Sequence, residues 1–130
     1  MAEVDEPNLR RVFAELAGQK VDAVIIGENG SFVAQRALIV ELSANHRLPA
    51  VYSYREHAEA GGLLAYGPDL GELATRMAAD VHLILGGTKV GDIPIYQPTK
   101  FELVINLKTA KALGVTIPFA VVAQADEVIE

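Results

Sequence analysis

The side chains of this chain that could do chemistry are few, and their types favour binding over catalysis. Its aromatic residues are four tyrosines and four phenylalanines. Of the tyrosines Tyr52, Tyr54, Tyr66 and Tyr96, three fall at or near the ends of apolar runs that read as strands. A tyrosine there can pack its ring on an organic solute and hydrogen-bond it through the hydroxyl. Its competing role is that of a half-buried rim residue. Gly27-Glu28-Asn29-Gly30-Ser31 joins an apolar run to a helical pattern. Backbone N–H groups at such a helix start can hold an anion or carboxylate, and glycines let a ligand approach closely. The segment matches neither GxGxxG nor GxxxxGK[ST], and Glu28 would repel a phosphate. An ordinary strand-to-helix turn with Ser31 as cap therefore stands beside the binding reading.

Other candidates give less. Gly86-Gly87-Thr88-Lys89 follows a helical pattern instead of preceding one, so the dipole is reversed for a phosphate and a helix end is expected. His46, His57 and His82 are spread over three helical segments without ligand spacing, and they read as surface or helix-end residues. Ser31, Ser43 and Ser53 lie outside any GxSxG elbow. Cysteine is absent, which removes disulfides, thiolate metal sites and cysteine nucleophiles. Neither catalytic residues nor a metal or other cofactor is expected.

The elements that position these residues alternate. Leu9, Val12, Phe13, Leu16 and Ala17 fall at helical spacing, with Gly18 closing that helix as a left-handed residue. The spacing predicts a buried strand over 21–26 and a helix from Ser31 to about Arg47. A strand over 48–53, a short helix over 54–60 and a strand over 63–66 follow. Asp69 caps a long helix, with Glu72 three residues on, and Gly86-Gly87 stops it. Two more strands are expected over 93–96 and 101–105. Asn106 caps a helix ending at Gly114, and Pro118 opens a last helical segment through Ile129. Strand-helix alternation predicts an α/β three-layer sandwich with a mainly parallel sheet, whose loops beyond the strand ends gather ligands.

Composition sets the bounds. A length of 130 residues allows one domain over 1–130, and 51% hydrophobic with 22% charged residues excludes global disorder. The net charge of −6, with no basic cluster beyond Arg10-Arg11, argues against a nucleic-acid partner. The start, Met1-Ala2-Glu3-Val4-Asp5-Glu6, is acidic and no signal peptide, and no run is long enough for membrane insertion. As written, the chain would stay in the cytoplasm.

Three stretches, RLPAVYSYREHAEAGGLLAYGPDL (47–70), IPIYQPTKFELVINLKTAKALGVTIP (93–118) and the closing ADEVIE (125–130), resemble the ABC-transporter substrate-binding protein family that includes the tryptophan-type binding proteins. A looser similarity reaches back to about Leu9. The resemblance implies one lobe, the C-terminal one, of a two-lobed type I periplasmic binding fold that traps an amino acid or related small organic solute for an ABC permease. It also implies that the N-terminal lobe and secretion signal are absent, and a periplasmic location for the family. It places Asn29, Ser31, Phe32, Tyr52 and Tyr66 at cleft-facing positions, and the 69–85 helix with the other lobe. Leu70, Leu73, Ala74, Met77, Ala78, Val81, Ile84 and Leu85 give that helix a broad apolar face, so packing on the chain's own sheet or a homodimer is expected. A homo-oligomeric module without transport duty, and a small nucleotide-binding domain carried by the Gly27–Gly30 loop, are the other readings.

Overall fold

The computed structural model describes residues 5–130; Met1, Ala2, Glu3 and Val4, most of the acidic start, lie outside it. Helix α1 (Glu6–Gly18) is capped by Asp5, whose carboxylate accepts the Asn8 N–H. Strand β1 (Val24–Ile26) follows, then α2 (Gly30–Ala34), α3 (Arg36–Asn45), β2 (Ala50–Tyr52), α4 (Arg55–Glu59) and β3 (Leu64–Pro68). The long α5 (Leu70–Leu85) leads to β4 (Phe101–Asn106), α6 (Leu107–Leu113), α7 (Phe119–Val122) and β5 (Glu127–Ile129).

The sheet has five strands in sequential order. β1, β2 and β3 run parallel, β4 is antiparallel to β3, and β5 is parallel to β4. The α/β class and mainly parallel sheet are as expected. Side chains alternate across a strand, so register sorts them into two faces. Ala50, Tyr52, Ala65 and Val104 join Phe13 of α1, Ile39, Val40 and Leu42 of α3 and Ala58 of α4 in the core. Small and β-branched residues let the helices sit close to this face. The other face carries the paired row Ile25, Val51, Leu64, Ile105 and Val128. It is closed at Ile105, 0% exposed, and open at Ile25, 82% exposed.

Asp69 caps α5 as read, accepting from the N–H groups of Gly71 and Glu72. Asn106 caps α6, and Gly114 takes the left-handed conformation that ends it. Four local expectations are corrected. The left-handed residue after α1 is Lys20, not Gly18. The 31–47 helix is two helices meeting at Gln35, and its first turn is capped by Asn29, with Ser31 inside. Residues 93–96 form no strand, and a 3-10 turn (Val90–Asp92) precedes them. The 118–129 segment is a short helix followed by β5, because Asp126 accepts the Leu103 N–H and Glu127–Ile129 completes the sheet beside β4.

Residues 69–100 leave the sheet at Pro68 and return at Phe101, its direct partner across β3 and β4. None of the α5 side chains is buried, and Met77, Val81, Leu83, Ile84 and Leu85 are exposed. The expected packing of this helix on its own sheet is not found. Tyr96 lies along α5, donating its hydroxyl hydrogen bond to Glu72 at 2.6 Å beneath the Arg76 guanidinium.

Candidate solute-binding rim

The carboxyl ends of β1, β2 and β3 meet at one edge of the molecule, together with the start of β4. In open α/β sheets that edge is where loops and helix starts converge on ligands. Two contacts stitch it. Ser53 Oγ donates to the Ile26 carbonyl at 3.2 Å, joining β2 to β1. Gly67 lies so close to β2 that a Cβ there would fall 1.7 Å from the Ser53 carbonyl oxygen. Only glycine permits that approach. The rim is therefore a fixed surface built on strand ends.

The five residues singled out in the sequence are distributed unevenly over it. Asn29 and Ser31 are exposed at the start of α2. The Asn29 Oδ1 accepts the Ser31 N–H at 2.8 Å, which fixes the turn at the start of α2. Phe32 turns inward, half-buried, and packs against the core. It also lines an apolar groove of about 340 Å³ between α1 and β1 with Leu9, Val12 and Ile25. Tyr66, 56% exposed, projects from the middle of β3 and stacks on Phe101 at the head of β4, with centroids 5.7 Å apart and planes at 26°. The two rings form an aromatic shelf on the rim.

Tyr52 sits elsewhere. It is 1% exposed, its hydroxyl donates to Ser43 Oγ at 3.0 Å, and its ring stacks on His57. Strand alternation explains this: Tyr52 shares a row with Ile26 and Ala65, the core-facing row, and Ser53 is the residue that reaches the rim. Burial pushes the Tyr52 hydroxyl above the ordinary tyrosine range, with the Ser43 hydrogen bond working against it.

Sequence reasoning weighed Ser53 only as a nucleophile, passed over Phe101, and weighed Tyr54 without assigning it to the cleft. Tyr54 precedes α4 at the rim, and its hydroxyl is raised by burial and then by the charges of Glu28 and Glu56. The signal for Ser53 and Tyr54 was their place directly after an apolar strand, and for Phe101 its place at the head of the next one. Arg55 was also missed. Its guanidinium pairs with Glu59 at 2.9 Å, with Glu102 at 3.0 Å and with Glu127, clamping α4 to β4 and β5 behind the rim. These carboxylates raise the Arg55 pKa further, so it stays charged at every accessible pH.

Of the histidines, His82 is exposed and His46 half-buried, whereas His57 is buried against the surface expectation. Among the described residues no group of three or more histidine or acidic side chains converges as a metal site. No helix among them is long and apolar enough to cross a membrane.

The fold is an α/β domain with a mainly parallel five-stranded sheet and strand ends gathered at one edge. Comparison with known proteins names the family. The ABC transporter substrate binding protein family matches residues 6–129, and the chain belongs to it. A tyrosine-binding protein of Clostridioides difficile is 25% identical over 105 residues, covering 81% of this chain and 30% of that protein. The crystal structure of an ABC domain in complex with L-Trp from Streptococcus pneumonia superposes with a TM-score of 0.87 at 26% identity over 99% of this chain and 43% of the other. A conserved domain protein from Vibrio cholerae shares the fold, with a TM-score of 0.88 at 22% identity over 98% of this chain and 43% of that one. The chain thus spans less than half the length of each of these proteins.

Proposed function

We propose that this chain, as a single lobe over residues 1–130, is the C-terminal wall of a solute-binding cleft that takes an aromatic amino acid or similar small organic solute. The observation that carries this is the Tyr66–Phe101 shelf at the same sheet edge as the outward-facing Asn29 and Ser31. The shelf offers a ring face for an apolar side chain, and the side chains of Asn29 and Ser31 offer donors for a carboxylate. The relatives' ligands, tyrosine and L-Trp by their names, support the same class. Tyr52 is left out of this wall, and Ser53 and Phe101 are added. In this reading the solute is collected outside the cytoplasmic membrane and passed to an ABC permease.

Affinity follows from geometry. Tight sites bury roughly 70–90% of a ligand's surface, and one open wall covers far less, so this chain alone binds at about millimolar strength. Calorimetric titration with L-tyrosine, L-tryptophan and an aliphatic control tests the reading. Saturable heat for the aromatic pair, weakened roughly tenfold in Tyr66→Ala by loss of about 1.4 kcal/mol of ring contact, supports it. Equal response to all three, or none, refutes it.

The exposed apolar side of α5 favours a second reading, a homodimer through that helix. Light scattering across a concentration series decides it: a mass that doubles and reverts to one chain in Met77→Glu/Val81→Glu supports the dimer, and a constant single-chain mass removes it.

A further inference from the structure

Two apolar surfaces of this chain lie open, one on the sheet and one on α5. On the sheet, Ile25, Val51 and Leu64 form a row on the face opposite the helix-covered core. Ile25 is 82% exposed and Val51 and Leu64 are only half-buried, whereas Ile105 further along the row is covered. β1 is also the edge strand, paired among the described residues with β2 alone. On α5, Leu70, Leu73, Met77, Val81 and Ile84 recur at spacings of three and four and so form one stripe, none of it buried. The returning segment does not cover that stripe. Tyr96 lies instead on the polar ladder of Glu72, Arg76 and Asp80, bonding Glu72 at 2.6 Å under an Arg76 that pairs with Asp80 at 3.2 Å.

We propose that α5 of one copy seats its apolar stripe on the Ile25–Val51–Leu64 face of a second copy, and that the second copy returns the contact. This rests on the homodimer reading, which names the helix but not the surface it meets. Three features select a second copy as the occupant. In layered α/β domains a sheet face is completed by a helix, and an apolar helix stripe by a sheet. This chain carries one of each and does not join them: residues 69–100 depart at Pro68 and return at Phe101, its direct partner, which holds α5 off the end of the β3–β4 pair. The sizes also agree. Its 16 residues make α5 about 24 Å long, and a helix laid on a sheet hides a strip roughly 10 Å wide. Two reciprocal contacts, each hiding such a strip on both surfaces, remove about 1,000 Å² from water, the size at which specific interfaces begin. Exchange of an identical element is a low-cost route to a closed two-fold dimer.

The chain has no cysteine, so a nitroxide on His82→Cys, an exposed position beside the stripe, marks α5 uniquely. Tagged chain is mixed with untagged, methyl-labelled chain over a concentration series followed by light scattering. The expected result is a doubled mass, with broadened methyl signals at Ile25, Val51 and Leu64 of the untagged copy. Those of Ile39, Val40 and Leu42, in the core on the opposite face, stay sharp. Ile25→Glu, at a position exposed in the single chain, raises the dimer dissociation constant at least about tenfold and abolishes the broadening. A doubled mass with broadening on α5 alone, or on the core side, overturns the proposal and leaves the homodimer standing. So does a dimer that Ile25→Glu leaves untouched. A single-chain mass at every concentration removes both.

Discussion

Replacing Gly67 by alanine should pry the rim apart. The added Cβ would meet the Ser53 carbonyl oxygen at 1.7 Å, where real contacts do not come under 3.0 Å. The obstacle is backbone, so no side-chain rotation relieves it, and β2 and β3 must part by roughly 1.3 Å. Overpacking commonly costs about 1–3 kcal/mol, and this case adds loss of the Ser53–Ile26 hydrogen bond, so about 3 kcal/mol is expected. For a domain of this size the urea slope is about 2 kcal/mol per molar, which lowers the unfolding midpoint by about 1.5 M. Gly27→Ala is the control, because a Cβ at that rim position meets nothing within 4 Å. Urea denaturation followed by circular dichroism reads both. A Gly67→Ala midpoint within 0.3 M, roughly a fifth of the expected shift, would refute the close-packed rim.

Arg55→Met should remove the clamp between α4 and the β4–β5 pair. The guanidinium is 32% exposed, so solvent screening limits the loss to about 1 kcal/mol, read as a smaller midpoint shift that shrinks further in high salt. Tyr52→Phe should cost about 1 kcal/mol through the orphaned Ser43 hydroxyl acceptor and leave solute affinity unchanged, whereas a Tyr52 in the cleft would make affinity fall. Stability of the wild type should decline as pH drops below about 6.5, because the unfolded chain protonates His57 while the folded chain resists; the slope flattens in His57→Phe. Denaturation midpoints between pH 8 and 5 measure both slopes.

The fold was largely legible because its signals are local and repeated. Asp69 and Asn106 announced their helices through capping chemistry, and short apolar runs ending in glycine announced β1 and β3. Two failures have a shared cause. The 93–96 run looks like a strand and β5 like the end of a helix, because sheet membership depends on a neighbour that a local pattern does not contain. Residue-level orientation was harder. Tyr52 and Ser53 are adjacent, and which one faces the rim is set by register with β1 and β3, a one-residue choice that inverts the answer. His57 was misjudged for the same reason: its helix is short, and the Tyr52 ring that buries it comes from another element.

The proposed rim meets its solute through an aromatic shelf and the start of α2. Amide NMR of the labelled chain, titrated with L-tryptophan, tests it residue by residue. The expected result is saturable shifts at Asn29, Ser31, Ser53, Tyr66 and Phe101, with Tyr52 and the α5 helix quiet. Shifts confined to the groove between α1 and β1, or to α5, would contradict it.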